Sequence, residues 1–258
     1  MKNKSFDTVV KKLIKRKWKL VDIKKIGDIL NNIQDDMSTL QKVYKMVYYL
    51  KNRWYLENIK KNVFFVKDPE DKVSREMIID RFYWSLVKKH CREYLSSTWY
   101  IGGVKALELN LASFDAPEEL LIVNQSKQST EVLMFDKQIV FKTYSKAKEK
   151  WNLFGFFSKL TKKIVIHKTQ FPVACLELAI LESLYNPSMV SQGYVDELVK
   201  KLLRKQRKSL DTTIRANILK KNKHHTSINR LYKLSKTLNE ELAEKIKAII
   251  KKYGYFIN

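Results

Sequence analysis

Residues 20–66, LVDIKKIGDILNNIQDDMSTLQKVYKMVYYLKNRWYLENIKKNVFFV, decide how the rest of the chain is read. A helical pattern opens at Val21-Asp22-Ile23, keeps Ile26, Ile29, Leu30 and Ile33 on one stripe, and breaks at Gln34-Asp35-Asp36. A second stripe follows in Leu40, Val43, Tyr44, Val47 and Leu50, the spacing of one buried helix face. Ser38 precedes it with Gln41 three residues on, a capping-box arrangement that sets where the helix starts. The period then turns from helical to extended. Trp54–Ile59 and Val63–Val66 read as strands around Lys60-Lys61-Asn62, a basic hairpin tip whose Asn tolerates positive φ. Two helices, a tight turn and a basic hairpin make a winged helix-turn-helix. Its second helix would enter a DNA major groove while the wing meets the backbone or the minor groove.

With Leu40, Val43, Tyr44 and Val47 turned inward, Thr39, Gln41, Lys42, Lys45 and Tyr49 point outward. Gln pairs bidentately with adenine, Thr reaches the thymine methyl, and lysines meet phosphate or guanine. The expected DNA-binding set is therefore Ser38, Thr39, Gln41, Lys42, Lys45 and Tyr49, with Arg53 before the first wing strand and Lys60 and Lys61 at the wing tip. An ordinary solvated helix followed by an ordinary hairpin would carry the same apolar stripe. The distribution of charge separates the two readings.

The formal net charge is +24 over 258 residues. Residues 1–67 carry 17 Lys+Arg against 6 Asp+Glu, a net of +11; residues 68–196 carry 17 against 16, a net of +1. Residues 197–258 carry 17 against 5, a net of +12. The excess sits at the two ends, as expected for surfaces that face a polyanion, because neutralising phosphates releases counterions. The basic helices keep no broad apolar face for lipid once a core is built. Hydrophobic content of 45% and aromatic content of 12% describe a folded chain. No apolar run is long enough for a membrane span, and the N-terminus reads as an amphipathic helix instead of a signal-peptide core. Cys91 and Cys175 sit in apolar patterns, as buried thiols of a cytoplasmic protein would.

The expected architecture is α+β, with an N-terminal winged helix-turn-helix at 1–67, a linker at 68–75, a central mixed α/β domain with a small sheet at 76–196, and a basic helical part at 197–258 packed on it. Phe6, Val9, Val10, Leu13 and Ile14 mark a first helix with Lys11, Lys12, Lys15 and Arg16 on its other side. Lys67-Asp68-Pro69-Glu70-Asp71-Lys72 has linker composition. A long helix bearing Ile78, Ile79, Phe82, Tyr83, Leu86 and Val87 ends near Leu95, with His90 and Cys91 adjacent and no second ligand pair for a metal.

Thr98–Glu108 then reads as a short strand turning through Gly102-Gly103 into a helix. Such a turn can hold a phosphate at the helix N-terminus. A nucleotidyltransferase would add two carboxylates on one strand to hold Mg²⁺. Here Asp115, Glu118 and Glu119 fall in a loop, and no Asp-x-Asp strand follows. Leu120–Val123, Thr130–Phe135, Gln138–Lys142 and Ile164–His167 read as strands, the middle two joined at Asp136-Lys137, without the carboxylate and Glu-x-Lys of a restriction-type nuclease. Trp151–Phe157 reads as a packed loop, and Pro172 precedes an apolar helix over 173–185 that buries Glu177 and Glu182 in structural roles. Two basic ridges complete the chain as a secondary electrostatic surface. The first is Lys200, Lys201, Arg204, Lys205, Arg207 and Lys208; the second is Lys220, Lys221 and Lys223, with His224 and His225 beside them.

The order of parts resembles the AbiEi family, the antitoxin and transcriptional regulator half of AbiE-type toxin–antitoxin systems. The likeness rests on the winged helix, the linker, Tyr100-Ile101-Gly102-Gly103-Val104-Lys105-Ala106-Leu107-Glu108, the strands, Leu176–Tyr185 and the basic tail. Leu176 stands where the family pattern has proline, and Asn62 where the wing often has glycine. The resemblance implies a repressor that sits on inverted repeats of its own operon. It also implies one that counters a nucleotidyltransferase-like toxin without a stable complex (type IV). The expected partner is double-stranded DNA, with no catalytic residues, metal or cofactor. The competing reading is a nucleic-acid-directed enzyme, nucleotidyltransferase- or nuclease-like, or an RNA-binding protein.

Overall fold

The computed structural model describes residues 3–32, 40–95, 97–125, 130–143, 153–185, 190–205, 212–221, 224–254 and 256. The chain divides into two compact units, residues 1–81 with Leu133–Asp136, and residues 82–132 with 137–258.

In the first unit, α1 (Asn3–Ile14) leads through β1 (Leu20–Asp22) to α2 (Ile23–Asn31) and α3 (Leu40–Asn52), then to β2 (Leu56–Lys60) and β3 (Val63–Val66). β3 is central, antiparallel to β1 and to β2. This is the winged-helix arrangement. Val9, Leu13, Ile26, Leu30, Met46, Leu50 and Phe64 are among the side chains closing its core, each worth ~1.5–3 kcal/mol of burial. Asp22 caps α2, its side chain accepting from the Lys25 backbone N–H at 2.7 Å.

The structure adjusts the expected pattern here at several points. Leu20–Asp22 forms a strand that the sequence reading assigned to the start of a helix; three residues are too few for an alternation to show. The buried stripe of α3 is Val43, Met46, Val47 and Leu50, at i, i+3, i+4 and i+7. Leu40 and Tyr44, expected inward, are 64% and 47% exposed. Met46 marks one edge of that stripe, about 50° from its centre, and Tyr44 stands about 110° from the centre, beyond the other edge. The wing begins at Leu56, two residues later than expected, and Lys60 belongs to its first strand. A register shift between Asn58 and Lys60 accommodates the tight tip.

α4 (Arg75–Leu95) runs from the first unit into the second. A six-stranded mixed sheet follows, in the order β6-β7-β5-β4-β9-β8. Its strands are β4 (Trp99–Ile101), β5 (Glu119–Asn124), β6 (Glu131–Met134), β7 (Lys137–Thr143), β8 (Thr161–Ile166) and β9 (Thr169–Ala174). The helices are α5 (Gly103–Asn110), α6 (Leu153–Phe157), α7 (Leu176–Tyr185), α8 (Gln192–Lys205), α9 (Thr212–Lys221), α10 (His225–Lys236) and α11 (Glu240–Lys252). α7 is buried along nearly its whole length, packed on α5 and α10, and α10 also packs on α8 and α11.

Three further expectations are corrected in this part of the chain. The β6–β7 turn is Phe135-Asp136, both at positive φ, one residue earlier than expected. Pro172 lies inside β9, opposite Lys163 of β8, rather than at the head of a helix. The β8–β9 hairpin turns at His167-Lys168, both also at positive φ. Leu153–Phe157 is a short helix instead of a packed loop; Trp151 lies outside the described residues. No helix among the described residues is long and apolar enough to cross a membrane.

Candidate nucleic-acid interface

The inward stripe of α3 dictates what faces water. Opposite Val43, Met46, Val47 and Leu50 lie Gln41, Lys45, Tyr48 and Asn52, spaced 4, 3 and 4 residues apart and all exposed. Lys42 and Tyr49 flank this row on one side, Tyr44 and Lys51 on the other, all exposed as well. Gln41, Lys42, Lys45 and Tyr49 therefore stand where the sequence placed them, while Ser38 and Thr39 lie outside the described residues.

Two members of the row were missed. Tyr48, 61% exposed, meets the Tyr49 ring edge-on at 5.8 Å, and Asn52 closes the last turn. The signal was available: Tyr48 stands seven residues, two helical turns, after Gln41, and Asn52 seven after Lys45. The assumption that Tyr44 points inward rotated the expected outer face away from them.

Arg53 is exposed, and its guanidinium lies 4.4 Å from the centre of the Phe6 ring. Phe6 in turn meets Tyr55 edge-on. Such stacking fixes the Arg53 head over α1 and leaves its outward edge able to donate to a phosphate.

The wing is short. Lys61 is exposed at the tip, Lys60 half-buried, and Asn62 sits at φ 62, the left-handed conformation that glycine or Asn adopts most readily. The Ile23 N–H donates to the Asn62 carbonyl at 3.0 Å, tying the wing tip to the start of α2. Lys67 and Arg75, beyond the wing, both pair with Glu57. Among the described residues, by contrast, Lys42, Lys45, Lys51 and Lys61 form no ion pair.

The Gly102-Gly103 turn, the other place where the sequence could hold a phosphate, is filled from within. The Gly103 N–H donates to Glu182 Oε2 at 3.0 Å, and the Tyr100 hydroxyl donates to Glu182 Oε1 at 2.8 Å. A Cβ on Gly102 would stand 2.5 Å from the same Oε2. The positive end of α5 is thus occupied by the chain's own carboxylate. Nearby, buried Lys105 donates to Glu108 at 2.7 Å and to the Ser113 carbonyl at 3.2 Å. The hydroxyl of Tyr194 donates to the other oxygen of Glu108 at 2.6 Å, and burial with this carboxylate pushes its pKa up to about 12. Asp115 is exposed in the loop before β5, within 3.4 Å of Ser113 Oγ. Among the described residues, no three His, Cys, Asp or Glu side chains gather as a metal site would require. Burial raises the thiols of Cys91 and Cys175 to about 12 and 11.

The secondary basic surface is partly as expected. Lys201, Arg204, Lys205 and Lys220 are exposed, and Lys200 is half-buried and paired with Glu197 at 2.7 Å. Lys221 ends α9, and Arg207, Lys208 and Lys223 lie outside the described residues. His224 does not belong to it. At the head of α10 it is only 3% exposed, near the Phe157 and Tyr185 rings, while His225 faces water.

No family model matches the chain, and no curated protein matches it. Among solved structures, a chain from H. pylori named as a candidate nucleotidyltransferase aligns at 12% identity over 70% of this chain and 98% of its own. Its TM-score of 0.34 is too low to carry an argument. The chain is also similar to the Rv2827c protein from Mycobacterium tuberculosis, with a TM-score of 0.55 at 11% identity over 96% of this chain and 81% of that one. That likeness is one of fold, and it extends over nearly the whole chain.

Proposed function

We propose that this protein is a sequence-specific DNA-binding regulator that reads a duplex with α3 and steadies itself with the wing. The observation that carries the reading is the outer row of α3. Gln41, Lys45, Tyr48 and Asn52 face water from a helix whose other side is locked into a winged-helix core. Gln41 and Asn52 offer the bidentate donor–acceptor pair that adenine presents to, and Lys45 reaches guanine or phosphate. Lys61, Lys42 and Lys51 hold the backbone in register without reading sequence.

The resemblance to AbiEi proteins supports a narrower role, that of an antitoxin repressing its own operon through inverted repeats and opposing a nucleotidyltransferase-like toxin without a stable complex. The proposed activity is binding rather than catalysis, with neither metal nor cofactor. Support comes from the Gly102-Gly103 turn, where Glu182 stands in the position that a substrate phosphate would need.

Selection of bound duplexes from a random pool tests the reading. Enrichment of a motif, repeated in inverted orientation, is the expected result. Retention of duplexes without enrichment would reduce the protein to a non-specific polyanion binder. Mg²⁺-dependent transfer of nucleotide to tRNA, lost in an Asp115→Ala variant, would favour the enzymatic alternative.

A further inference from the structure

We infer that the first unit carries a second phosphodiester-binding surface, a basic hollow between the end of α1 and α2, resting on the DNA-binding role proposed above. Lys12 is exposed in the last turn of α1, and Lys15 and Arg16 are exposed in the turn that follows Ile14, where the Arg16 N–H donates to the Leu13 carbonyl at 2.7 Å. Lys19 follows the turn, and α2 contributes Lys25 and Asp28. Together they line an open cavity of about 500 Å³ with Ile29 among its walls. A second hollow of about 330 Å³ adjoins it, bordered by Arg16, Lys25 and Asp28 again, by Lys24 and by the Asp22 carboxylate that caps α2.

The balance of charge is what singles the hollow out. Among the described residues, Asp28 is the one carboxylate lining the larger cavity, and it lies 4.0 Å from the Lys25 ammonium. Among the described residues, Lys12, Lys15, Arg16 and Lys19 form no ion pair. Four like charges held around one concavity repel each other and do nothing for stability. A concave wall also focuses their potential outward more than a convex one does. The residues are exposed, so the hollow suits a strand laid across it instead of a small anion sealed within.

The hollow is also held in place. The Trp18 N–H donates to the Val66 carbonyl at 2.8 Å, and the Val66 N–H donates back to the Lys19 carbonyl at 3.0 Å. Lys19 is thereby fixed to β3, the second strand of the wing. An anionic lipid surface would offer the same phosphates, but it would call for exposed apolar side chains beside the cations. Among the described residues, the rim of the larger hollow consists of Lys, Arg, Asp and Asn, with Ile29 buried. The chemistry therefore points to a nucleic-acid backbone.

The test is the full-length Lys12→Ala/Lys15→Ala/Arg16→Ala variant, with binding of a fluorescent scrambled duplex measured between roughly 50 and 200 mM salt. Each lost phosphate contact takes about 0.9 from the slope of log affinity against log salt, so the slope should fall by roughly 2–3. The ratio of selected to scrambled duplex affinity should stay at its wild-type value. An unchanged slope overturns the hollow while leaving the α3 reading intact. So does an equal fall in a Lys245→Ala/Lys251→Ala/Lys252→Ala variant of α11, which loses the same charge elsewhere.

If the wild type binds no duplex, the DNA reading itself fails. Calorimetry with inorganic tripolyphosphate then decides, because the backbone assignment falls with the duplex and only heat abolished by the triple variant would keep an anion site there. Binding to phosphatidylserine vesicles that the variant loses, with duplex binding unchanged, would reassign the hollow to a lipid surface.

Discussion

Two places in this chain invite a phosphate, and the protein treats them oppositely. On α3, at the wing tip and around the α1–α2 hollow, Lys42, Lys45, Lys61, Lys12, Lys15, Arg16 and Lys19 face water without a carboxylate partner among the described residues, and Lys25 alone of the hollow's cations pairs, with Asp28. At the Gly102-Gly103 turn, the backbone that could cradle an anion already holds Glu182. Cations of residues 68–196 are likewise engaged: Lys105 with Glu108 and Lys137 with Glu118. Residues 1–67 carry +11 and residues 68–196 carry +1, so the contrast in composition recurs atom by atom. One region leaves most of its cations open to solvent, and the other pairs the cations named here within the fold.

The largest effect should come from emptying the Gly-Gly turn. Glu182→Ala removes the acceptor of two buried donors, the Tyr100 hydroxyl and the Gly103 N–H. At about 1–3 kcal/mol per unsatisfied group, the loss should total ~2–6 kcal/mol, read as a lower urea midpoint. Gly102→Ala should fall in the same range, because its Cβ would meet the carboxylate. The comparison breaks if Glu182→Ala keeps wild-type stability and gains affinity for a nucleoside triphosphate. The turn would then be a phosphate site and Glu182 its plug.

His224 supplies the next effect. Burial pushes its pKa down to about 4 from 6.5, so the folded protein holds it neutral where the unfolded chain takes up a proton. The resulting stability is complete above pH 6.5 and is lost progressively as pH falls from there toward 4, by about 3 kcal/mol in all. Other groups titrate in this window, so the measured quantity is the difference between wild type and His224→Gln at pH 7 and at pH 4.5. A difference that stays constant with pH would place His224 in contact with water.

What was legible in the sequence was what local periodicity can carry. The switch from a 3.6-residue to a 2-residue period after Asn52 announced the wing, and the glycine pair announced the β4–α5 turn. β1 and β9 were not legible: one is three residues long, and the other contains Pro172, which reads as a strand breaker. The Glu182–Gly103 hydrogen bond joins residues 79 apart, and no spacing rule reaches that far. The candidate site was readable in kind and slightly misphased in detail. Tyr44 passed for a core residue because an aromatic at i+1 from Val43 widens a stripe without breaking it. The hollow was invisible for a different reason: a lysine-rich helix face looks the same on paper whether or not a second element curves round to enclose it.

On the binding side, Gln41→Ala should cost ~1–3 kcal/mol on a selected duplex and nothing on a scrambled one, since its contact reads a base edge. Equal losses on both would show that Gln41 is not a reader. Lys60→Ala with Lys61→Ala should weaken both duplexes alike and lower the salt slope by up to about 2. Half-buried Lys60 should contribute less of that than exposed Lys61. If the pair changes discrimination instead of slope, the wing reads sequence and the division of labour between helix and wing is wrong.

The smallest effect tests the wing's geometry without touching its charge. Asn62 holds φ 62 at the hairpin tip, and its carbonyl accepts from Ile23 at the head of α2. Asn62→Ala keeps the carbonyl but strains the left-handed backbone, at a cost of about 1 kcal/mol. Asn62→Gly relieves that strain at the expense of a freer unfolded chain, so it should lie within a few tenths of a kcal/mol of wild type. Thermal unfolding would read both. The order glycine ≥ Asn > alanine is the signature of a positive-φ tip, because side-chain size alone would rank glycine and alanine together. If alanine matches wild type in stability yet loses affinity for scrambled duplex, the Asn62 amide itself touches the backbone, and the wing binds through more than its lysines.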